Sequence, residues 1–408
     1  MSKKVVFILS DAFRYDYVFK HDLTFLKQKV MSNQVHLIEN IHPSTGFCEI
    51  VEYVTGQSSL EHGLLSQITA SHDWFEKKSP FYIRFLGFVF RMAFFKRIRK
   101  IRGVFQLIME YLLSFSSLPK EMLRVRYNIP PHFLPFLVPT ESKYAYDSPD
   151  FFGSKNLFCW MKSNNIQYDL DGFVKYNKVV GTDQDRMNEL LQKVEGNSLK
   201  DFTLIYLGVG ELAHFLSMDD PKFIEAMQVY DRNVASIYSA LVSSDNDFEL
   251  VLLGDHGMVP VSSYINIEPH IHRIAASLNL TLFKDYMYFI DSTMVRIWIK
   301  DTSLVSPFES ELFQVIGESL ETTGDIFGYL DAFKPDYGNV IALLKPGVCF
   351  YPDFFNNRKN VGMHGYLNTN HYQSGVLFRF GPNVVGKTEA SLELKDVSSF
   401  IMDEIYDR

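Results

Sequence analysis

The stretch Val251-Leu252-Leu253-Gly254-Asp255-His256-Gly257-Met258 limits what this chain can fold into more than any other. A short apolar run ended by glycine reads as a strand buried on both faces, the kind found in parallel sheets. In open α/β sheets, ligands sit beyond the carboxyl ends of such strands. Asp255 and His256 are therefore expected where chemistry happens. A carboxylate oxygen beside an imidazole nitrogen suits Zn2+ or a similar divalent ion. The plainer alternative is an N-cap aspartate next to a surface histidine.

The same pattern recurs. Val5-Val6-Phe7-Ile8-Leu9 is a buried strand by composition, and Ser10-Asp11 follows it. Asp11 thus stands at a strand end, as Asp255 does, although alone it reads equally well as a helix cap. Residues 201–207 form another apolar run, Met187 to Glu195 and Ile224 to Ser243 have helical period, and 374–380 reads as a late strand. Strands alternating with helices predict a parallel, helix-flanked sheet.

Composition narrows the function classes. A hydrophobic fraction of 47% with 22% charged residues fits a folded globular chain, and 408 residues suffice for two to three domains. A net charge of −8 argues against a general nucleic-acid binder, so no nucleic-acid partner is expected. Cys48, Cys159 and Cys349 match no zinc-finger or redox spacing, and so sparse a set fits a reducing compartment. The apolar run after Met1-Ser2-Lys3-Lys4 is too short for a signal-peptide core or a membrane span. The expected location is the cytoplasm.

Between the first strand and the middle of the chain lie His42-Pro43-Ser44-Thr45-Gly46-Phe47-Cys48-Glu49, then Thr55-Gly56 and His62-Gly63. Hydroxyl residues ahead of a helix N-terminus are placed to meet an anion. Beside a metal, such a hydroxyl also becomes a nucleophile. An ordinary Ser/Thr cap with Gly56 closing the helix accounts for the same residues. Farther on, Glu211 and His214 stand one helical turn apart, and Gly362-Met363-His364-Gly365-Tyr366 carries another histidine.

Taken in order, Asp11, the Ser44-Thr45 to Thr55-Gly56 segment with His62-Gly63, Asp255-His256-Gly257-Met258 and Gly362-Met363-His364-Gly365-Tyr366 resemble the alkaline phosphatase superfamily. The nearest branch is the type I phosphodiesterase and nucleotide pyrophosphatase one. The resemblance implies an α/β fold with a central, mostly parallel sheet flanked by helices. It also implies two divalent ions, usually Zn2+, with Mn2+ or Mg2+ as alternatives. Carried over by position, Asp11, Thr45, Asp255 and His256 hold one ion, Thr45 being also the nucleophile. Glu211, His214 and His364 hold the other. Two departures stand out. The family's nucleophile commonly lies ten residues before the glycine of Thr55-Gly56, which here is Gly46, so Thr45 and Ser44 are both candidates. The family's middle motif is an aspartate and a histidine four apart, where this chain has Glu211 and His214. Asp219 or Asp220 is an alternative ligand there, and His371 a spare for His364.

The matching segments are 1–71, 146–261 and 346–408, expected to form the catalytic core. Residues 72–145 read as a basic, aromatic, helical insertion. From Lys77 to Met109 there are nine Lys or Arg residues and no acid, interleaved with aromatics. Arg84 and Arg91 interrupt the apolar run, so 77–113 is expected to touch an anionic membrane peripherally, not to span it. Packing on the core is the plainer alternative. Residues 262–345 read as a small α+β cap, in which Tyr286 to Ile299 alternates and reads as strands around Asp291 to Arg296, and Arg296 is a candidate for binding substrate phosphate or carboxylate. The expected activity is hydrolysis of a phosphodiester or pyrophosphate in a phosphorylated small molecule, nucleotide or lipid-linked substrate. The alternatives are a phosphotransferase or hydrolase acting on lipid-linked or glycan phosphate at a membrane surface, and a non-catalytic metal-binding member of the same family.

Overall fold

Val5–Leu9 forms the heart of β1 (Lys4–Ser10), every residue of which after Lys4 is buried. The strand sits inside a seven-stranded sheet. Its other members are β2 (His36–His42), β3 (Tyr168–Leu170), β4 (Phe202–Leu207), β5 (Phe248–Gly254), β6 (Gly375–Phe380) and β7 (Lys387–Glu393). In these labels the order is β7-β2-β6-β5-β1-β4-β3. β1 runs parallel to both its neighbours, with Leu9 opposite Tyr206 and Leu253. β3 is parallel to β4, and β7 to β2. Only β6 runs against its neighbours, β2 and β5. The sheet is thus mostly parallel, as the apolar runs predict.

The computed structural model describes residues 3–45, 47–78, 81–91, 111, 129–141, 145–149, 151, 156–171, 181–244, 247–368 and 370–406. They divide into two compact units. The first, Met1–His62, Tyr144–Val261 and Asn360–Arg408, contains the sheet. On one sheet face Val6 and Ile8 pack with Met187, Leu190 and Val194 of α2 (Asp183–Glu195) and with Met227, Val234 and Ile237 of α3 (Pro221–Ser243). Thr182 and Asp185 close a capping box at the start of α2, and Asp220 caps α3 ahead of Pro221. On the other face, Phe7 stacks on Tyr53 of α1 (Glu49–Thr55).

The second unit comprises Gly63–Lys143 and Ser262–Lys359. It joins residues from both segments that fall outside the family resemblance. Its centre is a three-stranded antiparallel sheet of Tyr286–Ile290, Met294–Ile299 and Val340–Leu343. Ile271 and Ile274 of helix Glu268–Ser277 and Phe308 and Leu312 of helix Val305–Ile316 pack in the same core. Ile68, Phe133 and Leu137 join that core from the earlier segment. Most of the basic stretch 77–113 lies outside the described residues. Among the described residues no helix is long and apolar enough to cross a membrane.

Candidate metal centre

The parallel strands bring their carboxyl ends to one edge of the sheet, and the chemistry-bearing residues follow directly. Asp11 comes after β1, Asp255 and His256 after β5, Glu211 and His214 after β4, and Ser44 and Thr45 after β2. β6 is antiparallel, so the loop carrying His364 enters it at that same edge. Close backbone packing fixes the frame. A Cβ on Gly375 would collide with the Gly254 carbonyl, and one on Gly210 with the Asp11 carbonyl. Only glycine permits these approaches. Ala12 adopts φ 56°, a left-handed conformation uncommon for a residue with a Cβ, and its N–H reaches Asp255 Oδ1 at 3.4 Å.

The residues meet in three overlapping groups: Asp11, Asp255 and His256; Glu49, His256 and His364; Glu211, His214 and His364. Within each, one donor atom per residue lies within 4.8 Å of the others. His256 Nε2 is 3.1 Å from Asp11 Oδ1 and 3.9 Å from Asp255 Oδ1. His214 Nε2 is 3.2 Å from Glu211 Oε1. The His256 and His364 rings stack with centroids 4.0 Å apart.

Outer hydrogen bonds set which atoms face inward. His256 Nδ1 donates to the Gly257 carbonyl at 2.8 Å, and His214 Nδ1 to the Gly362 carbonyl at 2.9 Å. Each ring therefore turns Nε2 toward the acids, the orientation a ligating imidazole needs. The Tyr206 hydroxyl donates to Asp11 Oδ2 at 2.6 Å, and the His256 N–H to Asp255 Oδ1 at 3.0 Å.

The electrostatics are those of an anionic cluster in need of positive charge. Burial pushes the Asp11 carboxyl up, but adjacent His256 and the Tyr206 hydroxyl outweigh it and hold it at about 2. Burial drives Asp255 well above the ordinary aspartate value, with the charges of Asp11 and Glu49 adding to it. Burial disfavours the His256 cation, yet Asp255, Asp11 and Glu49 together raise it well above the usual imidazole value. His214 is likewise disfavoured by burial and raised, on balance, by Glu211. Asp11 Oδ1 and Glu49 Oε1 are buried without a hydrogen bond of good geometry, their nearest partners being imidazole nitrogens, His256 Nε2 at 3.1 Å and His364 Nδ1 at 3.6 Å. Buried carboxylate oxygens in that condition are costly unless a cation meets them. The mixed oxygen and imidazole donors fit divalent ions of the zinc type.

Ser44 and Thr45 differ in their commitments. Ser44 gives its N–H to both carboxylate oxygens of Glu52, at 3.1 and 3.0 Å, and its hydroxyl to Glu52 Oε2 at 3.0 Å. Thr45 is buried, and its Oγ1 lies 3.5 Å from the Ser59 hydroxyl. Burial lifts the Glu52 carboxyl to about 8 against the opposing Ser44 hydrogen bonds. Gly46 lies outside the described residues.

The other candidates are placed elsewhere. Asp219 is an exposed partner of Lys20, Asp220 caps α3, and His371 is exposed at the start of a short turn. Arg296, expected to reach a substrate anion, is fully buried in the second unit and donates to Asp291, Ser66 and the Ile68 carbonyl. Glu49 enters the cluster although the sequence reading passed over it. The only signal available was an acid opening a helix, which normally means no more than a favourable first-turn charge.

The sequence profile described as type I phosphodiesterase / nucleotide pyrophosphatase matches residues 136–367. Among solved structures, murine ectonucleotide pyrophosphatase / phosphodiesterase 5 as an inactive form in complex with AMP superposes with TM-score 0.63 at 14% identity. That match covers 98% of this chain and 94% of that one. A second structure of the same murine protein gives TM-score 0.64 at 13% identity, covering 98% and 95%. Its human counterpart gives 0.62 at 14%, covering 98% and 94%. No curated protein sequence matches this chain. Identities this low establish a shared fold.

Proposed function

The chain belongs to the type I phosphodiesterase / nucleotide pyrophosphatase family and is a phosphoric ester hydrolase, and we propose that it cleaves a phosphodiester or pyrophosphate bond of a nucleotide-type substrate with two divalent ions, zinc being the best fit. The observation carrying this reading is the set of overlapping carboxylate–imidazole groups at the sheet's carboxyl edge, with two buried carboxylate oxygens that no hydrogen bond satisfies. The AMP in the murine relative's complex supports a nucleotide-type ligand.

Asp11, Asp255 and His256 would hold one ion, and Glu211, His214 and His364 the other. Bound there, such ions stabilise charge on the phosphoryl oxygens and make a nearby hydroxyl or water easier to deprotonate. The chain's own residues do the rest. Tyr206, the Ala12 N–H and the carbonyls of Gly257 and Gly362 hold the ligands in orientation. Thr45 is the hydroxyl we assign as nucleophile, since that of Ser44 is engaged by Glu52. Its Oγ1 would lose its proton to water and form a bond to phosphorus as the bond to the leaving oxygen breaks, the leaving oxygen taking a proton from water. A second water would then cleave the phosphothreonine and regenerate the hydroxyl. Ser44 and Glu52 hold the loop from which Thr45 acts.

The test is zinc content together with hydrolysis of bis-p-nitrophenyl phosphate and p-nitrophenyl phosphate by wild type, Thr45→Ala and Ser44→Ala. Two ions per chain, diester turnover, and loss in Thr45→Ala support the assignment. Full activity in Thr45→Ala moves the attack to Ser44 or to water. Bound metal with no turnover of either ester favours a non-catalytic metal-binding member.

A second reading places the substrate at an anionic membrane surface. Phe81, Tyr82 and Phe85 are exposed on helix Phe81–Arg91, at 77%, 41% and 56% of their surface, within the basic stretch. Exposed aromatics beside cationic side chains favour an interface. Equal flotation with anionic vesicles by wild type and by a variant carrying Phe81→Ser and Phe85→Ser would remove this reading.

A further inference from the structure

Glu49 belongs to the donor cluster, yet the two-ion reading leaves it without a task. It is the first residue of α1 and 8% exposed. Its Oε1 makes no hydrogen bond among the described residues. That atom lies 3.8 Å from His256 Nε2 and 3.6 Å from His364 Nδ1. His256 also belongs with Asp11 and Asp255, and His364 with Glu211 and His214. Glu49 therefore stands where the two groups meet, with the stacked imidazoles presenting one nitrogen each toward it. The His256 ring cannot satisfy it through Nδ1, since that nitrogen is bonded to the Gly257 carbonyl.

We propose that Glu49 is a metal ligand shared by the two halves of the centre, and that its charge sets which phosphate esters the site accepts. The proposal rests on the two-ion reading. Charge counting shows what the residue adds. Asp11, Asp255 and Glu211 bring three negative charges, one short of balancing two divalent ions. Glu49 supplies the fourth. A centre neutral before substrate arrives disfavours a dianionic monoester more than a monoanionic diester, because the extra charge meets no net attraction. Glu49 is thus both a ligand and a selector for diesters.

The experiment compares wild type, Glu49→Gln and Glu49→Asp by equilibrium dialysis against Zn2+ and by the visible spectrum of the Co2+-loaded proteins, with circular dichroism to check folding. Expected in Glu49→Gln are at least tenfold weaker binding of one ion, an altered Co2+ spectrum, and a lower ratio of bis-p-nitrophenyl phosphate to p-nitrophenyl phosphate turnover. Glu49→Asp, which keeps the charge on a shorter arm, should recover part of the affinity. Wild-type binding and an unchanged Co2+ spectrum in Glu49→Gln overturn the proposal and leave the two-ion reading standing. Weaker binding with an unchanged spectrum also overturns it, because that result reports charge alone and no lost ligand. A wild type that takes up no zinc overturns both. A Glu49→Gln protein that fails to fold transfers the decision to Glu49→Asp, whose Co2+ spectrum must then differ from wild type.

Discussion

Each unit buries a cluster of charge, and the two clusters are finished differently. In the second unit Arg296 and Asp291 are both fully buried and 2.9 Å apart. The guanidinium uses its remaining donors on the Ile68 carbonyl and Ser66, and it lies over the Phe289 ring. Among the described residues every nitrogen of Arg296 and both oxygens of Asp291 have a partner within the protein. In the first unit, Asp11, Glu49 and Asp255 crowd round His256, and two carboxylate oxygens remain without hydrogen bonds. A buried charge that is fully satisfied within the chain holds structure. A buried charge left short of a partner is where a cation would be bound.

The sharpest way to break this contrast is at His256, common to two of the donor groups. His256→Ala should lose a zinc ion by elemental analysis and lower diester turnover by roughly 10²–10³-fold, the usual cost of losing one transition-state stabiliser. Retained zinc and turnover would make the first cluster as structural as the second. Arg296→Met tests the other side. Leaving Asp291 buried and unpaired should cost about 3–5 kcal/mol, read as a lower urea midpoint, and replacing both partners by apolar residues should recover most of it. Zinc stoichiometry should stay that of the wild type, and a change would undo the assignment of Arg296 to structure alone.

A smaller effect is expected from the metal itself. Zn2+ at about 100 times its dissociation constant should stabilise the first unit by about 2.7 kcal/mol per site, and a chelator should reverse it. A melting temperature indifferent to both would contradict the unmet demand for a cation. The smallest effect concerns Glu52. Its carboxyl is raised from the ordinary 4.5 to about 8 by burial. The folded state thus holds this proton more tightly than the unfolded state does. Stability from Glu52 is complete below about 4.5 and is lost as pH rises toward about 8. Thermal melts of the metal-free protein from pH 4 to pH 9 should show this decline, and Glu52→Gln should flatten it. A decline that survives in Glu52→Gln belongs to another group.

The sheet was legible because parallel strands buried on both faces leave continuous apolar runs. Val5–Leu9, 202–207 and 251–253 were readable for that reason, and antiparallel 375–380 because it too is buried along its whole length. β7 was not, because it is an edge strand whose sequence, Lys387–Glu393, is largely polar and exposed. β2 was hidden by Glu39 and Asn40 in its middle. In the second unit, the alternation over 286–299 correctly signalled two strands, with Asp291–Thr293 turning between them. That alternation carried no sign that Arg296 points into the core, since a strand residue reveals its face only once the sheet is packed.

The sequence by itself determined that Asp11, Asp255 and His256 stand at the ends of buried strands. It also placed Glu211, His214 and His364 in the chain order of a known family. Strand ends and motif order are local properties, written in neighbouring residues. Only the tertiary structure decided that six of the anticipated ligands meet, that Ser44 is engaged by Glu52, and that Glu49 lies 3.8 Å from His256 and 3.6 Å from His364. The physical reason is distance along the chain. Glu49 and His364 become neighbours only when an antiparallel strand returns the late part of the chain to the edge where the parallel strands end.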